Sequence, residues 1–170
     1  MIFRKAKMSD AEAVFKIIEN AKQYLKTHDV WQWQEGYPAM TDIISDIEKG
    51  MGYVLDDNGK IAATVSISFE RESYFDAFEG AGWIEEKWSA AFHRSAVSPE
   101  YRRTGASDAL LHGIENECRR LGVSNIRVAT HPNNKAMRAL LERCGYRLCG
   151  IVTLKSVGKE PTRVAYQIIL

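Results

Sequence analysis

The stretch "AVSPEYRRTGASDALL", residues 96–111, decides how the chain is read. It closes an apolar, strand-like run ("AAFHRSAV", residues 90–97), turns through a proline and two arginines, and opens an amphipathic helical pattern at Ala106 and Ser107. A strand running through a turn into a helix start leaves several backbone N–H groups without intrahelical partners, and the helix dipole adds partial positive charge there. Such a junction suits phosphate oxygens. Gly105 allows close approach of the backbone, Arg102 and Arg103 add charge, and the Thr104 and Ser107 hydroxyls can donate further hydrogen bonds. The same arginines could equally serve a solvated turn. Walker A lacks its GK[ST] here, and the Rossmann pattern lacks two of its three glycines.

Working outward, residues 110, 111, 114, 118 and 121 place Leu110, Leu111, Ile114, Cys118 and Leu121 on one helix face. Glu115 and Arg119 form an i,i+4 pair on another face, and Gly122 is placed to end the helix. Downstream, "NIRVAT" alternates as a strand, and Asn133 or Asn134 can cap a helix carrying Met137, Leu140, Leu141 and Cys144, stopped by Gly145. "YRLCGIVTL" and "RVAYQIIL" read as two closing strands. Upstream, "IFRKAK" is a first strand, and Ser9 with Glu12 has the spacing of a capping box for a helix to about Lys26. Thr41 offers an N-cap for a second, short helix. "GYVLDDNGKIAATVSISFE" reads as a hairpin turning at residues 56–59. The order is strand, two helices, three strands, helix, strand, helix, two strands. That predicts one α/β domain over residues 1–170, built on a mixed sheet.

Composition sets further bounds. Twenty-three basic and 22 acidic residues nearly cancel and form no run, so neither a nucleic-acid nor a membrane-surface partner is expected. No stretch approaches the roughly 18 apolar residues of a membrane span, and "MIFRKAKMSD" has no apolar signal region. Cys118, Cys144 and Cys149 lack CxxC spacing, and the four histidines show no metal-ligand spacing, so no metal is expected. These features point to a cytoplasmic protein.

"AVSPEYRRTGASDALL" resembles motif A of the GNAT superfamily of N-acetyltransferases, V-x-P-x-x-R-x-x-G-x-[GA]. Val97, Pro99, Arg102 and Gly105 match, and Ser107 replaces the final small residue. "NKAMRALLERCGY", residues 134–146, resembles motif B of the same superfamily. The resemblance covers almost the whole chain and implies a GNAT-type acyl-CoA N-acyltransferase fold, with a mostly antiparallel mixed sheet flanked by helices. It implies acetyl-CoA as acyl donor, its pyrophosphate on residues 102–107 and its pantetheine against Ala96 and Val97. Asn134 would contact the pantetheine or the attacking region, and Arg143 would lie near the adenosine phosphates. The acceptor is expected to be a primary amine, that of a small molecule before that of a peptide or protein, attacking the thioester directly in a ternary complex.

An ammonium must lose a proton before it can attack, which calls for a base. Glu79, His93 and Glu70 are the candidates, and for His93 a packed structural role is the competing reading. Motif B usually carries a tyrosine four residues before its glycine, where it can protonate the departing thiolate. Leu141 stands there, leaving Tyr146, Cys144 or water for that step, or a catalytically weak acyl-CoA-binding sensor or scaffold as the alternative function. Eight aromatic residues from Trp31 to Trp88 lie in two irregular segments that, by the resemblance, would wall the acceptor pocket; they could equally pack these loops onto the sheet, and the same segments could support a homodimer.

Overall fold

The computed structural model describes residues 1–76, 78–154 and 159–170. Strand β1 (Ile2–Lys5) leads into helices α1 (Ala11–Thr27) and α2 (Met40–Glu48), then the hairpin β2 (Gly52–Asp57) and β3 (Lys60–Ser68). A short strand β4 (Phe78–Gly80) precedes β5 (Ala90–Val97), α3 (Ala106–Arg120), β6 (Asn125–Thr130), α4 (Lys135–Arg143), β7 (Arg147–Thr153) and β8 (Thr162–Ile169). The eight strands form one sheet in the order β1-β2-β3-β5-β6-β8-β7-β4. Every pairing is antiparallel except β5 with β6. The expected mixed, mostly antiparallel sheet is therefore present, with β4 added inside a segment expected to be irregular.

Local chemistry explains most boundaries. Asn58 and Gly59 take positive φ (53° and 90°), as the tight β2–β3 turn demands. Helix α3 buries Leu110, Leu111, Ile114 and Cys118 against the sheet. Each fully buried aliphatic side chain there contributes about 1.5–3 kcal/mol. Gly113 lets α3 approach the sheet edge, because a Cβ at that position would stand 2.4 Å from the Phe3 ring.

Several expectations change. The Ser9/Glu12 box does not form; the Asp10 carboxylate accepts the Lys7 backbone N–H (2.7 Å) and pairs with Arg4 (2.7 Å), so the helix is anchored one residue later. Asp42 does for α2 what Thr41 was expected to do, accepting the Ala39 backbone N–H at 2.7 Å. Leu121 falls at the C-cap and is exposed, because the helix ends before its apolar face returns. Glu115 forms the expected i,i+4 pair with Arg119 (3.9 Å, through Oε2), but it is buried with Oε1 unpartnered among the described residues, and burial raises its pKa.

Two sheet features shape the site. β5 and β6 pair only at Ala90↔Ile126 and Ala91↔Arg127, then diverge, while β6 continues along β8 through Thr130↔Val164. On its other side β5 slips register against β3 between Thr64↔Ala96 and Ser66↔His93. Two residues of β5, Arg94 and Ser95, there oppose the single Val65, and Arg94 adopts φ 50°. This is a β-bulge, which bends the strand and re-aims its side chains.

Candidate active site

The divergence of β5 from β6 opens a cleft of about 1150 Å3. Its walls come from β5 (residues 92–97), β6 (Val128, Ala129, Thr130), the first turns of α3 and the inner side of α4. Residues of α1 and the segment containing Trp31, Trp33 and Tyr37 close a further side.

At one end stands the strand-turn-helix junction. A 3-10 turn (Pro99–Tyr101) hands the chain to Arg103 and Gly105, both at positive φ (63° and 86°), and Gly105 is the N-cap of α3. A Cβ added at Gly105 would meet no heavy atom within 4 Å, so no protein atom fills the space beside the N-cap of α3. Arg102, Arg103 and Ser107 line the cleft beside it. The Arg102 guanidinium lies 4.8 Å from the Tyr24 ring centroid, and the Thr104 hydroxyl donates to the Tyr101 carbonyl (2.7 Å). Ala106 is buried beneath the turn. Ala96 and Val97 line the cleft at the free edge of β5.

Asn134 caps α4, its side-chain oxygen accepting the Met137 backbone N–H (3.2 Å), while its amide donates to Gln32 Oε1 (3.3 Å). Gln32 Oε1 also accepts from the His131 backbone N–H (3.4 Å), fastening the aromatic segment across the opening. Arg143 lines the cleft and pairs with Asp108 at 2.8 Å, which holds the Asp108 carboxyl below its usual range. Ten residues expected at a coenzyme A site, Ala96, Val97, 102–107, Asn134 and Arg143, thus lie in or immediately beside one cleft.

Deeper along β5, His93 Nε2 lies 2.9 Å from Glu72 Oε1. The His93 contact, opposed by burial and aided by Ser68, holds the Glu72 carboxyl below its ordinary range. An ionised Glu72 accepts the Nε2 proton and leaves His93 Nδ1 as the basic nitrogen. Tyr74 packs edge-on against the His93 ring, and burial raises its pKa. Beside them the bulge aims Arg94 at Asp46, with Nε–Oδ2 and Nη2–Oδ1 both at 2.6 Å, and at the Tyr37 hydroxyl. Burial opposes the Arg94 charge, but Asp46 and Tyr37 together more than offset it and the pKa rises.

The expected base Glu79 is not in the cleft. It sits exposed on β4 at the sheet edge, opposite Ile151, because β4 pairs with β7 on the far side of β8. Glu70 is likewise absent from the lining, and Glu72 is the carboxylate brought to His93. Glu70, Glu72, Asp76, Glu79, Glu85 and Glu86 follow one another closely, and nothing in the sequence chooses among them. Tyr146 is 2% exposed, stacked edge-on to Phe92 within the core and absent from the cleft lining, and Cys144 donates to Asp108 (3.6 Å). Neither faces the cleft, and Leu141 is fully buried. Of the aromatics, Trp31, Trp33, Tyr37 and Tyr74 line the cleft, while Phe75, Phe78 and Trp83 pack together under the sheet.

Among the described residues no group of three His, Cys, Asp or Glu side chains is arranged to hold a metal ion, and no helix is long and apolar enough to cross a membrane.

A splayed parallel strand pair beside an open helix N-terminus has close counterparts. An acetyltransferase of the GNAT family from Streptococcus agalactiae 2603 superposes with a TM-score of 0.91 over 99% of this chain and 95% of its own, at 29% identity. An acetyltransferase from Salmonella typhimurium, solved with acetyl-CoA, shares the fold at 18% identity with a TM-score of 0.70, covering 99% of this chain and 93% of its own. An S-alkylcysteine N-acetyltransferase of Bacillus subtilis (strain 168) is 27% identical over 118 residues, 68% of this chain and 60% of that protein's length. The family model for the acetyltransferase (GNAT) family matches residues 14–146, a span that runs from α1 past α4 and includes both walls of the cleft. The chain is an acyltransferase that belongs to the GNAT acetyltransferase family.

Proposed function

We propose that the protein transfers the acetyl group of acetyl-CoA to the primary amine of a small molecule. The observation that carries this reading is the parting of β5 from β6 after Ala91, beside the unfilled space at the N-cap of α3. The pyrophosphate lies on residues 102–107, held by helix-terminal N–H groups and by Arg102 and Arg103. The pantetheine runs along the free edge of β5 past Ala96 and Val97, where backbone N–H groups polarise the thioester carbonyl.

The cleft exceeds the 300–1,000 Å3 common for a single small-ligand site, which supports simultaneous occupancy by donor and acceptor. His93 Nδ1 takes a proton from the ammonium, with Glu72 orienting the ring and stabilising the imidazolium. The nitrogen lone pair attacks the acetyl carbon, the carbon–sulfur bond breaks, and coenzyme A departs as the thiolate. Gln32, bonded to the ends of β6 and α4, narrows the opening on the acceptor side and favours a small acceptor over a protein surface. Acetylation of a small amine by the B. subtilis relative supports the same choice.

The test follows free thiol release from acetyl-CoA against a panel of small amines and N-terminal peptides. Release with at least one small amine, exceeding that with any peptide, is expected. No release above buffer with any acceptor would overturn the reading.

A further inference from the structure

Resting on that acetyltransferase reading, we propose that the amine acceptor also carries a carboxylate, and that Arg163 in the cleft wall binds it. Arg163 is 5% exposed yet lines the cleft. Its Nη1 donates to the Glu160 and Thr162 carbonyls (2.6 and 2.8 Å), which fixes the guanidinium. Among the described residues, Nε and Nη2 have no hydrogen-bond acceptor. Burial lowers the pKa of this group, the Glu160 charge offsets only part of that, and among the described residues no carboxylate forms a salt bridge with it.

The other arginines of the cleft are occupied or lie at the nucleotide end. Arg94 is held by Asp46 through two 2.6 Å contacts, Arg143 is paired with Asp108, and Arg102 and Arg103 flank the α3 start. Arg163 lies elsewhere. Ala91, Ala129 and Ala165 share one face of the sheet, and Phe92, Val128 and Val164 share the other. Side chains alternate along strands, so His93, two residues from Ala91, and Arg163, two residues from Ala165, emerge on the first face. They stand on opposite sides of the opening between β5 and β6. A planar fork with two open donors, held by carbonyls and desolvated, is matched by a carboxylate. With the base on one side and the fork on the other, the acceptor is an amine bearing a nearby carboxylate, as a free amino acid does. A peptide N-terminus lacks that group.

Steady-state acetylation of S-methylcysteine and phenylalanine, each compared with its carboxamide, tests the inference. The carboxamides have the less basic amines and hence more free nucleophile near neutral pH, so a preference for the carboxylates must come from binding. The wild type is expected to favour each free acid by about 10- to 100-fold in kcat/KM, the range for a charge-assisted hydrogen-bonded pair. Arg163→Met should abolish that preference by raising the acceptor KM while leaving the KM for acetyl-CoA within twofold, and Arg163→Lys should restore part of it. Equal use of acid and amide by the wild type overturns the carboxylate proposal alone, whether or not the variants fold. Preserved preference in a folded Arg163→Met protein overturns the role of Arg163. No turnover with any amine overturns the acetyltransferase reading and this inference with it.

Discussion

Gly105 offers a perturbation whose two costs can be separated. It sits at φ 86° as the N-cap of α3, and a Cβ there meets nothing within 4 Å. Gly105→Ala therefore creates no clash within the protein, and its cost to stability is the left-handed conformation alone, about 1 kcal/mol. The cost to coenzyme A binding is different in kind. A methyl group beside the first α3 amides occupies space that a pyrophosphate oxygen enters in the proposed complex. Losing two charge-assisted hydrogen bonds at about 1.5 kcal/mol each lowers affinity on the order of 100-fold. Gly59 provides a matched control, since it has φ 90°, nothing within 4 Å of its Cβ position, and a place in the β2–β3 turn outside the cleft. Urea unfolding should show similar losses for Gly105→Ala and Gly59→Ala. Calorimetry should show weak coenzyme A binding for the first and normal binding for the second, with phosphate-free pantetheine unaffected in both. If Gly105→Ala binds coenzyme A as Gly59→Ala does, the phosphate does not approach this turn and the reasoning fails. Gly105→Val should bind more weakly still, at a larger folding cost, because a β-branched residue tolerates positive φ least.

Other expectations follow from the same coordinates. His93→Ala should lower kcat by about 10^2- to 10^3-fold with acetyl-CoA affinity unchanged, while Glu79→Gln should match wild type; an inactive Glu79→Gln would restore the edge carboxylate as the base. Asp46→Ala should cost about 3 kcal/mol in urea unfolding, because it leaves the Arg94 guanidinium buried without its carboxylate; a loss under about 1 kcal/mol would mean water replaces that partner. Glu115 has its pKa raised in the folded state by burial, so its penalty is absent below the ordinary carboxylate range and grows as pH rises above it. Glu115→Gln should equal wild type in stability near pH 4 and exceed it at pH 8, and an identical difference at both pH values would contradict this sign. Leu141→Tyr should destabilise the fold by about 1–3 kcal/mol through overpacking and leave kcat unraised; a faster enzyme would show that position 141 reaches the thioester.

The parts of this molecule legible in its sequence are those set by neighbours along the chain. The α3 periodicity from Leu110 to Cys118, the Asn58–Gly59 turn, the Asn134 cap and the strand-turn-helix junction at residues 97–107 are local, and each is realised. What escaped depends on distant pairing. β4 is three residues long and exists because Phe78 and Gly80 meet Val152 and Gly150, more than 60 positions away. Once that strand forms, Glu79 is carried to the sheet edge, and the preceding 3-10 turn (Ser73–Phe75) leaves Glu72 at His93. Arg163 is the one charged residue of the stretch "RVAYQIIL", and the splay of β5 from β6 opens a cleft at that position.

The leucine at position 141 is intelligible from proton balance. Acetylating an ammonium with a thioester yields amide, thiol and one released proton, so two protons leave nitrogen and one reaches sulfur. The first departs before attack, through His93 in the proposed chemistry, because only the neutral amine has a lone pair. The second leaves as the tetrahedral adduct collapses and can pass to sulfur through water in the open cleft. A thiol has a pKa near 8.5, so its thiolate is a competent leaving group near neutral pH, unlike an amide anion or an alkoxide. A dedicated acid therefore quickens a step that can proceed without one, whereas no water-borne substitute orients the nucleophile. The cleft is built accordingly. Glu72, His93, Arg94 and Arg163 line the proposed acceptor side, while Met137 and Leu140 of α4 present an apolar face along the proposed pantetheine path.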